Sequence, residues 1–361
     1  MIKENKIAVL GAGNGGMAMA AYLSLMGYEV NLYDKFEKTI EGIAKLGGIE
    51  LDGVSLKGFA KMNAVTTDLK KAMKGCEMLM VVTPAFAHRE LAENMAPYLE
   101  DGQIIVLHPG RTCGALEVRQ MITKINSGVD VTVAEAQTLI YAARRHGENS
   151  ATIHGVKNKV TLAAIPTSRT GFVVEKINRF YEAFVPAKNI LETSLLNIGA
   201  IFHPGPAIFN IARIECKSEY EHYHEGITPC VGRILEKVDG ERVNIAKKMN
   251  IETISAKTWL GEVYGVEPKE TLQEMIRNNE VYAGISAPKD PGTRYISEDI
   301  PMSLTPLAEM GRMVGVKTPY MNMLIDIAST MHGRDYRETG RNLKSLGIDN
   351  MSFEQLLDEI A

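Results

Sequence analysis

The chain has 361 residues, of which 45% are hydrophobic and 23% charged, and a formal net charge of −4. That length suits two domains with sizeable cores. Acids and bases are interleaved, so no basic face advertises nucleic acid or an anionic membrane, and no apolar run approaches the ~20 residues needed to span a bilayer.

The four cysteines (Cys76, Cys113, Cys216 and Cys230) are scattered without a CxxC pair, which offers neither a disulfide framework nor a metal site. A strand begins within a few residues of Met1, leaving no room for a signal peptide. A soluble, cytoplasmic protein is expected.

Residues 6–10 read as a buried strand, apolar almost throughout, as a central parallel strand should be. Gly11-Ala-Gly13-Asn14-Gly-Gly16 follows and opens a helix over 17–26, which Gly27 ends before a second strand at 28–33 that stops at Asp34. This order is what dinucleotide binding requires. Gly11 permits the tight turn, Gly13 lets the backbone approach the pyrophosphate, and Gly16 allows close helix–strand packing. Asp34 is placed to accept hydrogen bonds from the adenosine ribose. It should repel a 2′-phosphate and so favour NAD, although Lys35 beside it offsets part of that repulsion and leaves NADP open.

Further strands are expected at 76–83, ending in Thr83-Pro84, at 103–107, ending in His108-Pro-Gly-Arg111-Thr, and at 129–134, leading into Glu135-Ala-Gln137-Thr. Ligands of an open α/β sheet sit outside the carboxyl ends of its strands, so Thr83, Pro84, His108 and Arg111 should line the cofactor crevice. Either proline can equally be a simple strand terminator, and Arg111 and His108 ordinary loop residues. Residues 151–166 look like a hairpin and 170–184 like a last helix.

Near residue 190 strand patterns vanish. Amphipathic helices are expected at 195–209, 226–249, 254–264, 268–278, 304–314 and 320–331. The fold class is therefore an α/β Rossmann domain with a doubly wound, mostly parallel sheet (1–188), followed by an all-α domain (189–361). Such a pair commonly places its active site in the intervening cleft.

Polar residues that interrupt the apolar helices are the candidates for chemistry. His203 stands in the run Leu195-Leu-Asn197-Ile-Gly-Ala-Ile-Phe-His203-Pro-Gly-Pro206. A histidine there is either a satisfied core residue or an acid–base group aimed by a proline bend. Asn197 falls on roughly the opposite face unless the helix bends. Arg294 can clamp a carboxylate bidentately. Asp299, two residues before Pro301, reads equally as an N-cap or as an acid orienting a histidine. His222 and His224, with flanking glutamates, lack an HExxH pattern and are read as a polar wall of the substrate pocket rather than a metal site.

Taken together, GAGNGG with Asp34, His108-Pro-Gly-Arg-Thr, Glu135-Ala-Gln-Thr-Leu-Ile-Tyr, Asn197…His203-Pro, Glu225-Gly-Ile-Thr-Pro, Arg294-Tyr-Ile-Ser-Glu-Asp-Ile-Pro and Gly315-Val-Lys-Thr-Pro resemble the octopine/nopaline (opine) dehydrogenases, from Gly11 to about Gly347. The resemblance implies NAD(P)H-dependent reductive condensation of a 2-oxo acid such as pyruvate with the amino group of an amino acid. It implies His203 as catalytic histidine, Asp299 as its acidic partner and Arg294 as a carboxylate anchor; Asn197, Gln137 and His222 are the further candidates expected on the substrate side. His222 and His224 stand where aromatic residues are expected in relatives, which bears on the amino donor.

Small-molecule substrates are the expected partners, and a homodimer is the assembly considered. Competing readings are a hydroxy-acid or sugar/glycerol-phosphate dehydrogenase and an NAD sensor without turnover. The former commonly uses a catalytic lysine, and none follows His203 before Lys217. The joint presence of His203, Arg294 and Asp299 counts against the latter.

Overall fold

The computed structural model describes residues 2–361. Among the described residues twelve strands form in chain order: β1 (Lys3–Leu10), β2 (Glu29–Tyr33), β3 (Gly48–Gly53), β4 (Gly58–Lys61), β5 (Ala64–Thr66), β6 (Cys76–Val81), β7 (Ile104–Leu107), β8 (Thr132–Ala136), β9 (Tyr141–His146), β10 (Ser150–Val156), β11 (Val160–Ile165) and β12 (Phe184–Pro186). Eight build one sheet in the order β12-β11-β8-β7-β6-β1-β2-β5. From β5 to β8 all neighbours are parallel, whereas β11 pairs antiparallel with β8 and parallel with β12. The strand order reverses between β1 and β6, which is where a doubly wound sheet opens its ligand crevice.

The register sets the crevice edge. Leu10 is paired with Tyr33 on one side and Val81 on the other; Val81 pairs with Leu107, and Leu107 with Glu135. The residues that follow these strand ends, among them Gly11, Asp34, Thr83, His108 and Gln137, leave the sheet along one edge.

A second sheet, unforeseen from the sequence, runs β4-β3-β10-β9. It corrects the expected hairpin at 151–166. β10 pairs with β9 and β3, while β11 returns to the main sheet beside β8. Adjacent strands in a chain usually pair with each other, but here each buries its apolar face against a different layer. The helix expected over 170–184 stops at Ile177, and Phe184 to Pro186 becomes the edge strand β12.

The chain divides into two compact units, Ser194–Leu357 forming the second, with Asp358–Ala361 belonging to the first. The boundary expected at 188/189 thus moves to follow Thr193, inside the helix Ile190–Leu195. Thr193 is held to the first unit because its hydroxyl donates to the buried carboxylate of Glu135 at 2.6 Å. The chain end returns because the Thr167 hydroxyl donates to the Ile360 carbonyl at 2.7 Å.

The second unit is helical. Its principal helices are Pro229–Lys248, Ala256–Tyr264, Leu272–Arg277, Thr305–Met313 and Pro319–His332. The single helix expected over 195–209 is broken into Ile190–Leu195, Gly199–Phe202 and Pro204–Phe209. Pro204 and Pro206 fall in the first turn of the last of these, where a missing N–H costs no helical bond, so they start a helix rather than kink one. His203 sits at the junction, closing one helix and opening the next.

Candidate functional site

The first unit carries a dinucleotide site. Gly11 has φ +109, and a Cβ there would lie 2.7 Å from the Val82 carbonyl oxygen. A Cβ on Gly16 would come within 1.8 Å of the Gly11 carbonyl oxygen, so the helix Asn14–Leu25 can meet the turn only through glycine. Gly13 differs: nothing lies within 4 Å of its Cβ position, which leaves open space in front of a helix N-terminus. That is room for a phosphate to approach bare backbone. Beside it the Thr83 hydroxyl is buried without a hydrogen-bond partner, as a group awaiting a ligand would be. The residues present therefore fit a nicotinamide dinucleotide.

Two expected cofactor residues also hold the turn together. One Asp34 carboxylate oxygen accepts the Ala12 N–H at 2.9 Å and the other the Phe36 N–H at 3.0 Å. The Asn14 side-chain oxygen accepts the Arg145 N–H at 3.0 Å. Pro84 leads directly into the short turn Ala85–Ala87 after β6. Arg111 adopts φ +60, a conformation uncommon outside glycine.

His108 is buried with neither ring nitrogen hydrogen-bonded, and burial pushes its pKa down to about 3, so it is neutral at pH 7. Arg145 was missed by sequence reasoning. From β9 its guanidinium donates to the Ala12 carbonyl at 3.3 Å, placing a cation beside the glycine turn. It was hidden because β9 belongs to the unforeseen sheet.

The second unit brings His203 and Asp299 together. His203 Nδ1 lies 2.9 Å from Asp299 Oδ2, and the carboxylate is 1% exposed. Asp299 does not cap the following turn with its side chain. It is instead fixed from behind: Asn197 donates to the Ser303 hydroxyl at 2.9 Å, and that hydroxyl donates to Asp299 Oδ1 at 3.3 Å. Asn197, expected on the face opposite His203, joins the same network because the chain breaks between them. Ser303 stands four residues after Asp299 across a π turn, Ile300–Leu304, a spacing that could have flagged it. The carboxylate holds the proton on Nδ1, so Nε2 is the nitrogen left to exchange protons. Among the described residues no group is recorded hydrogen-bonding Nε2.

His222 corrects an expectation. Rather than walling a pocket, it is fully buried in an aromatic cluster, 4.6 Å from the Tyr295 ring centroid and 4.8 Å from that of Tyr223. Its Nε2 faces the Phe202 carbonyl at 3.2 Å, and burial, reinforced by nearby His203, pushes its pKa down to about 4. Packing among aromatic rings, away from water, accounts for the burial part of that shift. His224 is committed to Glu221 and the Asn279 carbonyl, each at 3.2 Å. Arg294 donates Nε to Glu298 at 2.6 Å, while its side chain stays 61% exposed. Gln137 belongs to the first unit, just beyond β8, where its N–H donates to the Thr161 carbonyl at 2.9 Å.

Residues 186–332 match the model of the NAD/NADP octopine/nopaline dehydrogenase alpha-helical domain, and residues 6–123 that of the NAD-dependent glycerol-3-phosphate dehydrogenase N-terminus. An opine dehydrogenase of Arthrobacter sp. (strain 1C) is 38% identical over 352 residues, covering 98% of each chain. The chain belongs to the opine dehydrogenase family. It is accordingly an NAD(P)-dependent oxidoreductase. Octopine dehydrogenase of Pecten maximus is 24% identical over 93% of this family member and 92% of its own length. A solved octopine dehydrogenase in complex with NADH and agmatine shares the fold, with a TM-score of 0.83 at 21% identity over 98% of this chain and 97% of that one. Yersinopine dehydrogenase with NADP+ bound does so with a TM-score of 0.74 at 15% identity over 99% and 98%.

Proposed function

We propose that this protein condenses a 2-oxo acid such as pyruvate with the amino group of an amino acid and reduces the product to a secondary amine, reversibly. The reading is carried by the His203–Asp299 pair, a histidine tautomer fixed by a buried carboxylate at 2.9 Å. Octopine dehydrogenase has been solved with NADH and pyruvate, and with NADH and L-arginine, which supports the substrate classes.

Condensation of carbonyl and amine expels water to form an imine, and a positioned acid–base group speeds this by moving protons. His203 Nε2 takes a proton from the substrate ammonium, freeing the amine to attack the carbonyl, and then donates one to the departing hydroxyl, while Asp299 stabilises the imidazolium between those events. Arg294, sharing its guanidinium with Glu298, anchors a substrate carboxylate. Asn197 acts through Ser303 on the pair; Gln137 is a further candidate on the substrate side, and His222 contributes by packing. Gly11, Gly13, Asn14, Gly16, Asp34, Thr83, Pro84, His108 and Arg111, joined by Arg145, would hold the dinucleotide. When bound in reduced form, it supplies the hydride.

NAD is favoured over NADP, since Lys35 is engaged by Glu90 at 3.0 Å and so less able to offset Asp34. Four unpaired cysteines support a reducing, cytoplasmic setting, and no helix among the described residues is long and apolar enough to cross a membrane. Exposed Phe36, Val54 and Phe59 are the support for a homodimer, which sedimentation equilibrium would test.

The deciding experiment follows nicotinamide absorbance with pyruvate and single amino acids. His203→Ala should lower kcat by ~10²-fold or more at unchanged NADH affinity, Asp299→Asn somewhat less, and the double variant little beyond His203→Ala. A folded His203→Ala protein with normal turnover would refute the assignment.

A further inference from the structure

A cavity of about 480 Å³ lies in the first unit, lined in part by Tyr22, Ser55, Tyr141, Lys157, Phe180 and Tyr181. It is separate from the strand-end edge described above. Tyr22 and Met26 reach it from the closing turns of the helix whose opening turn is the glycine loop.

Its polar groups are poorly matched within the protein. Lys157 Nζ donates to the Leu139 carbonyl at 2.7 Å, but no carboxylate among the described residues is recorded pairing with it. Burial alone pulls this ammonium down to about 8. Tyr141 and Tyr181 are each 4% exposed, and their buried hydroxyls lie beside each other and have no partner beyond that contact. The Ser55 hydroxyl is likewise buried without a partner. Tyr22 is satisfied, donating to the Phe180 carbonyl at 3.0 Å. Arg179, a second lining cation, already pairs with Glu4 at 3.7 Å.

Desolvating a cation and several hydroxyls without partners is costly, and a fold retains such a cluster most readily where a ligand completes it. The walls say what kind of ligand. Tyr22 and Tyr181 stack at 5.2 Å with 16° between planes, and Tyr141 meets Tyr181 edge-on at 5.7 Å. Among the described residues Glu182 is the one lining acid and is not among the partners of Lys157, so the Lys157 ammonium beside flat aromatic surface suits a monoanion with a flat apolar body. A phosphate, carrying more charge and no apolar surface, is matched poorly.

We propose that this cavity is a second ligand site, which takes a small aromatic carboxylate. The carboxylate accepts from Lys157 and from the tyrosine and serine hydroxyls, and the body lies against the tyrosine and phenylalanine rings. The site stands independently of the catalytic reading.

The test is calorimetric titration of the full-length protein with benzoate, using benzyl alcohol and inorganic phosphate as controls. Benzoate should bind, and both controls should bind at least about 10-fold more weakly. Lys157→Met keeps an apolar stem and removes the charge. It should weaken benzoate about 10-fold or more while leaving turnover unchanged. Tyr181→Phe, which retains the ring, should weaken it several-fold and serves if Lys157→Met does not fold. Arg294→Met should leave this affinity unchanged, which separates the cavity from the proposed substrate anchor. No benzoate binding, equal binding of phosphate, or an affinity untouched by both Lys157→Met and Tyr181→Phe would overturn the proposal.

Discussion

The ring of Tyr295 lies flat against that of His203, with centroids 4.6 Å apart and planes 15° from parallel. Asp299 fixes one nitrogen of the imidazole, but a single hydrogen bond leaves the ring free to tilt about that bond. The tyrosine face removes this freedom, so Tyr295 is a positioning residue for the proposed acid–base group. Tyr295→Phe keeps the stack and should retain nearly full kcat. Tyr295→Leu should lower kcat about 10-fold with KM for both substrates little changed. A parallel rise in KM, or equal losses in the two variants, would show that the ring serves something other than the histidine.

The glycine loop separates steric need from ligand need. Gly16→Ala drives a methyl group into the Gly11 carbonyl oxygen, 1.8 Å away, and should cost roughly 2 kcal/mol or more of stability. Gly13→Ala meets nothing within 4 Å and should unfold within about 0.5 kcal/mol of the parent. Its NADH affinity, followed by fluorescence titration, should nevertheless fall at least about 10-fold, because the methyl fills the phosphate's approach. Undiminished affinity would move the phosphate site elsewhere.

Two buried histidines make the fold acid-sensitive. Their ordinary pKa is 6.5, and burial holds His108 down to about 3 and His222 to about 4. As pH falls below about 6.5 the unfolded chain takes up protons at these positions before the folded one does. Their contribution is therefore intact above that pH and is lost progressively towards the depressed values. The expected loss is about 2 kcal/mol per site by pH 5. Urea unfolding at pH 7 and pH 5 should show it, and His222→Phe should remove one share of the difference. An equal pH dependence in parent and variant would mean that His222 becomes charged inside the fold.

Cofactor choice turns on a surface pair. Lys35 and Glu90 are both about half exposed in their side chains, at 47% and 57%, and lie 3.0 Å apart. Glu90→Gln releases the lysine beside Asp34. The ratio of kcat/KM for NADPH to that for NADH should rise about 2- to 5-fold, the modest range such exposed pairs command. An unchanged ratio would show that Lys35 does not face the ribose.

The glycine loop, Asp34 at the end of β2 and the parallel strands around them were legible in the sequence because each depends on a few neighbouring residues. Tight turns demand particular residue types, and buried parallel strands are short apolar runs. The helical character of the second unit was legible for the same local reason. What the chain pairs with at a distance was not.

Residues 150–165 carry strand patterns that say nothing about which sheet will take them, and β10 and β11 went to different ones. By spacing alone His203 reads more readily as a core residue and Asp299 equally as a cap; folding brought the two within 2.9 Å across 96 positions. Tyr295 and Ser303 gained their places only then. Periodicity and turn chemistry decide which face of a segment is buried. The partner across that face is chosen by packing between segments far apart in the chain, and only the tertiary structure decides it.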